Sequence, residues 1–232
     1  MKKGLMVAIA AVLTALGPTA LADQVTFGGS GGSATFCAPT GGGPITVAGS
    51  FSNLANCTGP TAVTLTGTAT FEHPNGTPFS TGNYSVTFPV PPLVLTGNPP
   101  APFSTFSPNG VTSAFSLTNF PPAGTGGLTG TITWTIGKDN TPTPDLDGTL
   151  TILTNTGTGF FLTDFPVGST TTIDFTWSAV SPTWDQMATN GGNATSTLQT
   201  GSLAGVPDGG ATVMLLGGVL VGLAAVRRRL GV

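Results

Sequence analysis

The sequence is poor in histidine, cysteine and basic charge, and each shortage excludes a class of function. It has one histidine, two cysteines and six lysine and arginine residues among 232. Residues 23–208 hold one base, Lys138, beside all nine acidic residues. Nucleic acid is excluded as a partner, because proteins that bind phosphate backbones carry clustered lysine and arginine. The same balance argues against docking on anionic lipid.

The single histidine leaves few routes to catalysis. His73 is the only residue that could act as the base of a Ser–His–Asp triad. The segment Gly28-Gly29-Ser30-Gly31-Gly32 matches the G-x-S-x-G pattern by letter, but no helical period follows it, as a nucleophile elbow requires. One histidine and two cysteines also cannot make a usual zinc ligand set. We therefore predict that the protein is not an enzyme and needs no cofactor.

Helical periodicity is missing between the two ends of the chain, where apolar residues alternate with threonine instead. This period of two is typical of strands with one buried and one wet face. Strands are predicted at residues 24–27, 45–51, 63–71, 84–90, 111–118, 128–136, 149–153 and 171–179. Glycine- and proline-rich turns separate them. The predicted fold is all-β, an antiparallel β-sandwich over residues 23–185.

Periodicity weakens after Trp184. Residues 186–205 are rich in threonine, glycine and asparagine. A helical turn is predicted at residues 185–188 and a last strand at about 195–203. The remainder is predicted to form a flexible stalk between the domain and a membrane.

The N-terminus has the three parts of a secretory signal peptide. Lys2 and Lys3 precede an apolar run at residues 4–16, and Ala20-Leu21-Ala22 is a small-x-small cleavage site. We predict export by the secretion machinery and cleavage between Ala22 and Asp23.

The two cysteines fit an exported protein. Cys37 and Cys57 are the only pair, and an oxidising compartment favours one disulfide between them. Closing a loop of this size stabilises a fold by about 3 kcal/mol in the chain-entropy model. Two free structural thiols are the alternative.

The C-terminal tail combines a turn-forming motif, an apolar run and a basic end. Its motif and its basic residues are Val206, Pro207, Asp208, Gly209, Gly210, Arg227, Arg228 and Arg229. The uncharged run at residues 211–226 would span about 24 Å as a helix, and flanking residues can extend it towards the ~30 Å hydrocarbon core. The run predicts a transmembrane helix, whose arginine end lies in the cytoplasm by the positive-inside rule.

This tail resembles the PEP-CTERM class of bacterial sorting signals, and most closely the VPDSG-CTERM variant. Val206, Pro207, Asp208 and Gly210 match the variant, whereas Gly209 stands where serine is usual. The resemblance covers residues 206–232 only. It implies recognition by an exosortase, a membrane-embedded cysteine peptidase or transpeptidase, and display at the cell surface or in the exopolysaccharide matrix. A single-span anchor that is never cut is the alternative.

Two features of the body are candidates for ligand binding. Asp139, Asp145 and Asp147 offer oxygen ligands that could hold Ca²⁺, although prolines interrupt their loop and a solvated acidic loop is the favoured interpretation. Trp184 is the tryptophan best placed to be exposed and to stack on sugar rings. The function predicted is a non-enzymatic surface or matrix protein. The alternative is a carbohydrate-binding or adhesive module on the same scaffold, with polysaccharide as its partner.

Overall fold

A computed structural model describes residues 23–28, 32–59, 62–73, 75–97, 104–107, 112–120, 126–140 and 143–206. Within this part, Asp23–Val206 forms one compact unit of antiparallel strands with two short helices. The prediction of an all-β fold is therefore confirmed. The predicted signal peptide at residues 1–22 and the predicted membrane segment at residues 211–226 lie outside the described residues.

Every predicted strand is present, together with two that the sequence does not predict, β2 and β6. The strands are β1 (Gln24–Gly28), β2 (Ser33–Ala38), β3 (Ile45–Ala48), β4 (Ala62–Glu72), β5 (Pro78–Gly97), β6 (Ser104–Ser107), β7 (Thr112–Phe120), β8 (Gly126–Asn140), β9 (Thr143–Asn155), β10 (Thr170–Trp177) and β11 (Gly192–Ala204). The helices are α1 (Phe160–Asp164) and α2 (Trp184–Asn190).

Eight strands form a closed circuit of antiparallel pairs. The circuit runs β1, β4, β5, β7, β8, β9, β10, β11 and back to β1. β2 and β3 connect β11 to β5, and β6 connects β5 to β8. All eleven strands thus belong to one continuous sheet, whereas the predicted sandwich would have two. The long strands β5, β8 and β11 produce this difference, because each changes partners along its length.

The core lies inside this circuit and follows the period of two. In β4, Val63, Leu65 and Phe71 are buried, while the threonines between Val63 and Gly67 are exposed. Aromatic rings pack across the interior, as where the ring centroids of Phe88 and Phe175 are 4.5 Å apart. A closed sheet buries one face completely, so the threonine face is the outer face of the domain.

The two ends of the circuit differ in what they carry. β1 and β10 begin, and β4, β9 and β11 end, at the end of the domain that we call the chain-end pole. Helix α1 lies between β9 and β10 at this pole. Helix α2 precedes the first residue of β11 and therefore belongs to the opposite end, which we call the far pole.

The helical turn predicted at residues 185–188 and the last strand predicted at about 195–203 are both present, whereas the rest of residues 186–205 differs from the predicted stalk. Most of helix α2 and the thirteen-residue strand β11 occupy this segment, and β11 pairs with β1, β2 and β10. The buried positions of β11 include Ala194, Ser196 and Gly201. A Cβ atom on Gly201 would come within 2.9 Å of the Phe175 ring, so this central strand needs a small residue there. Small buried residues leave a weak apolar pattern in the sequence.

Candidate functional sites

The predicted sorting motif begins directly at the folded domain. Gly205 N donates a hydrogen bond to the Asp23 carbonyl over 2.7 Å, and Val206 N donates one to the Asp164 carbonyl of α1 over 2.7 Å. The Thr171 hydroxyl donates to the Ala204 carbonyl beside them. These bonds fix the exit of the chain at the chain-end pole, so no spacer separates β11 from the motif.

Only the first residue of the predicted motif falls in the described part of the chain. Val206 is half-buried. The other motif residues and the basic end lie outside the described residues: Pro207, Asp208, Gly209, Gly210, Arg227, Arg228 and Arg229. In the described part, no helix has both the length and the apolar character needed to span a membrane.

The predicted signal-cleavage site lies at the same pole. Asp23 is described and Ala22 is outside the described residues. One residue, Asp23, stands between the predicted cut and β1, and its carbonyl accepts the hydrogen bond from Gly205. Asp23 and Val206, the first and last described residues, therefore lie at the same pole.

His73 has structural contacts at this pole. Its Nδ1 atom lies 3.1 Å from a carboxylate oxygen of Asp23, and its ring stacks on Phe79 with centroids 4.4 Å apart. After Gly32, the last residue of the G-x-S-x-G match, the chain continues as strand β2. A nucleophile elbow leads into a helix instead, so this geometry does not support a serine nucleophile there.

The predicted disulfide between Cys37 and Cys57 is confirmed. Cys37 lies in β2 and Cys57 in the loop that follows β3, with a Cα–Cα distance of 5.6 Å. The loop also closes on itself through a bridge between Asn53 and Thr58. The disulfide fastens this exposed loop to the buried strand β2.

Three carboxylates meet on the outer face of the sheet. Side-chain oxygens of Asp145 and Asp147 in β9 and of Asp174 in β10 lie within 4.8 Å of one another. Thr176 donates to Asp145 over 3.2 Å and to Asp174 over 3.4 Å. Sequence reasoning groups Asp145 and Asp147 correctly but misses Asp174, which only the register of β9 and β10 brings opposite Asp147.

A cation is one way to reduce the repulsion within this group, and a neighbouring lysine is another. Lys138 lies opposite Asp145 in the β8–β9 register, although its side chain is outside the described part. The side chain of Asp139, the third predicted ligand, is outside it too. The arrangement is compatible with Ca²⁺ but does not require it.

Trp184 is buried, so the prediction that it is exposed and available to a sugar is wrong. Its side chain is 0% exposed and packs against Phe36 and Phe106, with centroids 5.2 and 5.3 Å away. A capping box between Thr183 and Gln186 starts helix α2, of which Trp184 is the first residue. The Thr-x-x-Gln spacing is a sequence signal that could have shown where this helix begins. Trp134 and Trp177 are buried as expected.

A shallow cavity of about 300 Å³ lies at the chain-end pole between β7, β8 and β9. Threonine hydroxyls line much of it. The hydroxyl groups of Thr129 and Thr154 bond to each other over 2.6 Å, and the Thr156 hydroxyl donates to the Gly127 carbonyl. These groups already have partners within the protein, so the cavity offers little to a ligand.

Comparison with known protein families identifies the tail. Residues 205–230 match the VPDSG-CTERM motif, which confirms the resemblance seen in the sequence. No curated protein and no solved structure matches the chain. A C-terminal sorting signal of this kind suggests export and display at the cell surface by an exosortase-type enzyme.

Proposed function

We propose that the chain is a non-enzymatic protein of the cell surface or exopolysaccharide matrix, handled by an exosortase at its C-terminal tail. The match of residues 205–230 to a sorting motif carries this proposal. The N-terminal signal peptide and the three arginines support one topology, with the domain outside the cell and the basic end in the cytoplasm.

The chemistry that the motif implies takes place on the backbone. The enzyme's cysteine thiolate attacks a peptide carbonyl within residues 206–210. A thioester forms as the C–N bond breaks, and the tail leaves as an amine after its nitrogen takes up a proton. The acyl-enzyme then passes the new C-terminus to water or to an acceptor nucleophile. The chain supplies the peptide segment that is cut.

Two features of the folded domain favour stability outside the cell. Its outer face carries threonine hydroxyls in place of lysine, which leaves few sites for lysine- and arginine-directed proteases. The disulfide between Cys37 and Cys57 adds a covalent link of the kind that oxidising compartments sustain. Both features support a structural or matrix role.

The structure does not support carbohydrate binding through stacked tryptophan rings. All three tryptophans are 3% exposed or less. An adhesive role would have to use the threonine face, and ordinary strand preference already explains that face. We therefore propose a role in the surface or matrix, and not carbohydrate binding.

Removing residues 207–232 should release the protein from the cell. We expect the shortened chain to be exported and to form its disulfide, because Val206 and all eleven strands remain. It should then appear in the medium instead of on the surface, as measured by immunoblots of washed cells and medium.

Thr189→Ala provides the matched control, since Thr189 is an exposed residue of α2 at the far pole, away from Val206. This variant should be displayed like the original chain. Retention of the shortened chain on the surface, at the level of the full chain, would contradict the proposed role of the tail.

A further inference from the structure

We propose that, until the tail is removed, the domain rests on the lipid bilayer with its chain-end pole, and that three exposed apolar side chains of that pole contact the lipid. We call Leu153, Leu162 and Val167 the apolar edge. The inference rests on the membrane anchor in the proposed function. It adds an orientation and a contact surface.

The short connection between domain and tail is the first reason. Val206 is bonded to Asp164 of α1, and the predicted membrane segment begins at residue 211. The five residue steps between them span at most about 18 Å when fully extended. A headgroup layer about 6 Å thick takes up part of that length. While the tail is in place, the pole therefore stays within about 12 Å of the headgroup surface.

The position of the apolar edge is the second reason. Among the described residues, five large apolar side chains are exposed, and three of them belong to the edge: Leu153 at 54%, Leu162 at 47% and Val167 at 61%. Single exposed apolar residues are ordinary. Three of the five fall within residues 153–167, the segment whose helix α1 holds the exit of the chain.

Hydrogen bonds hold the edge together. Ile152 N donates to the Ser169 carbonyl and Gly168 N donates to the Ile152 carbonyl, which fastens the turn of Val167 to β9. The Asn155 side-chain amide donates to the carbonyls of Phe161 and Phe165 over 2.9 and 2.8 Å and so secures α1. Since Val206 is bonded to the same helix, the edge and the exit of the chain lie together.

The charges at this pole indicate the kind of lipid. Asp23, Glu72 and Asp164 are the acidic groups there, and His73 is the only titratable base among the described residues of the pole. Anionic headgroups would be repelled, whereas a zwitterionic surface accepts apolar side chains without that cost. The contact is weak alone, but the tether raises the effective concentration of the bilayer into the millimolar range.

A fluorophore attached at two matched positions tests the orientation. Val167→Cys places a reactive thiol on the edge, and Thr189→Cys places one on α2 at the far pole. The native cysteines are already paired. Each full-length variant, labelled with an environment-sensitive nitrobenzoxadiazole dye, is reconstituted through its tail into phosphatidylcholine vesicles that contain doxyl-labelled lipid.

We expect the dye at position 167 to shift its emission to the blue and to be quenched several-fold by doxyl lipid, while the dye at position 189 remains as in water. Equal, water-like behaviour of both dyes in vesicles that carry the protein would overturn the inference. A dye at position 167 that responds only after exosortase is added would also overturn the inference, because the enzyme, and not the lipid, would then contact the apolar edge.

Flotation of the same vesicles keeps the two proposals apart. If the full chain floats with the lipid and the dye stays in water, the orientation is wrong and the anchor stands. If neither the labelled nor the unlabelled full-length chain floats with the vesicles, the tail is not a membrane anchor. The proposed orientation is then refuted as well. Replacing part of the phosphatidylcholine with anionic lipid should weaken the quenching, and stronger quenching would contradict the charge argument.

Discussion

Replacing Trp184 with alanine should lower the free energy of unfolding by about 3–5 kcal/mol, the usual cost of removing a large buried aromatic side chain. The Trp184 side chain is fully buried between Phe36 of β2 and Phe106 of β6. Its loss would leave a cavity where helix α2 meets the sheet. Since small domains are stable by about 5–15 kcal/mol in total, a large part of the stability depends on this side chain. Urea unfolding followed by circular dichroism measures the change.

Two matched variants separate packing from other effects. Trp184→Phe should lose less than Trp184→Ala, because the indole N–H of Trp184 has no hydrogen-bond partner among the described residues and packing is its main contribution. Leu153→Ala, at an exposed position, should change the stability by no more than about 0.5 kcal/mol. A loss below about 1 kcal/mol in Trp184→Ala would show that the side chain is not part of the core.

Reducing the disulfide should cost about 3 kcal/mol of stability in the chain-entropy model, since the bond closes a loop with a sequence separation of 20 residues. Cys37 is buried in β2, whereas Cys57 lies in an exposed loop that the bond holds against the sheet. Reduction raises the conformational entropy of the unfolded chain. It also removes the covalent link that holds the Cys57 loop to β2 in the folded protein. The measurement is the free energy of unfolding with and without reductant.

The double variant Cys37→Ala with Cys57→Ser is the control. Alanine suits the buried position and serine the half-exposed one. This variant should match the reduced protein in stability and should not respond to reductant. If the oxidised and reduced forms of the original chain unfolded at the same urea concentration, the stabilising role of the bond would be refuted.

Alternation of apolar and threonine residues predicts eight of the strands because the closed sheet buries one face and leaves the other wet, while β11 is predicted only over about 195–203, where the alternation is weak. It misses β2, in which five consecutive residues are buried, so that no alternation is visible. It misses β6 because four residues are too few to show a period. The closure of the circuit is also beyond local patterns, since it depends on the pairing of β1 with β11, about 180 residues apart in sequence.

The candidate sites show the same division between local and distant information. The sorting motif and the cysteine pair are local patterns, and both are found from the sequence. Asp174 joins the acidic group only through strand register. The exposure of Trp184 is misjudged because, unlike Trp134 and Trp177, it lies outside the alternating segments, and only the packing of helix α2 brings it against Phe36 and Phe106.

That the tail is a processed sorting signal is tested most directly by mass spectrometry of the C-terminus of the surface-displayed protein. We expect a terminus within residues 206–210, or a covalent adduct there, together with the loss of the peptide that contains Arg227, Arg228 and Arg229. The folded domain upstream should be intact through Gly205, because Gly205 and Val206 are bonded into the chain-end pole. A surface protein that still ends at Val232, with the arginines in place, would contradict processing and leave an uncut membrane anchor.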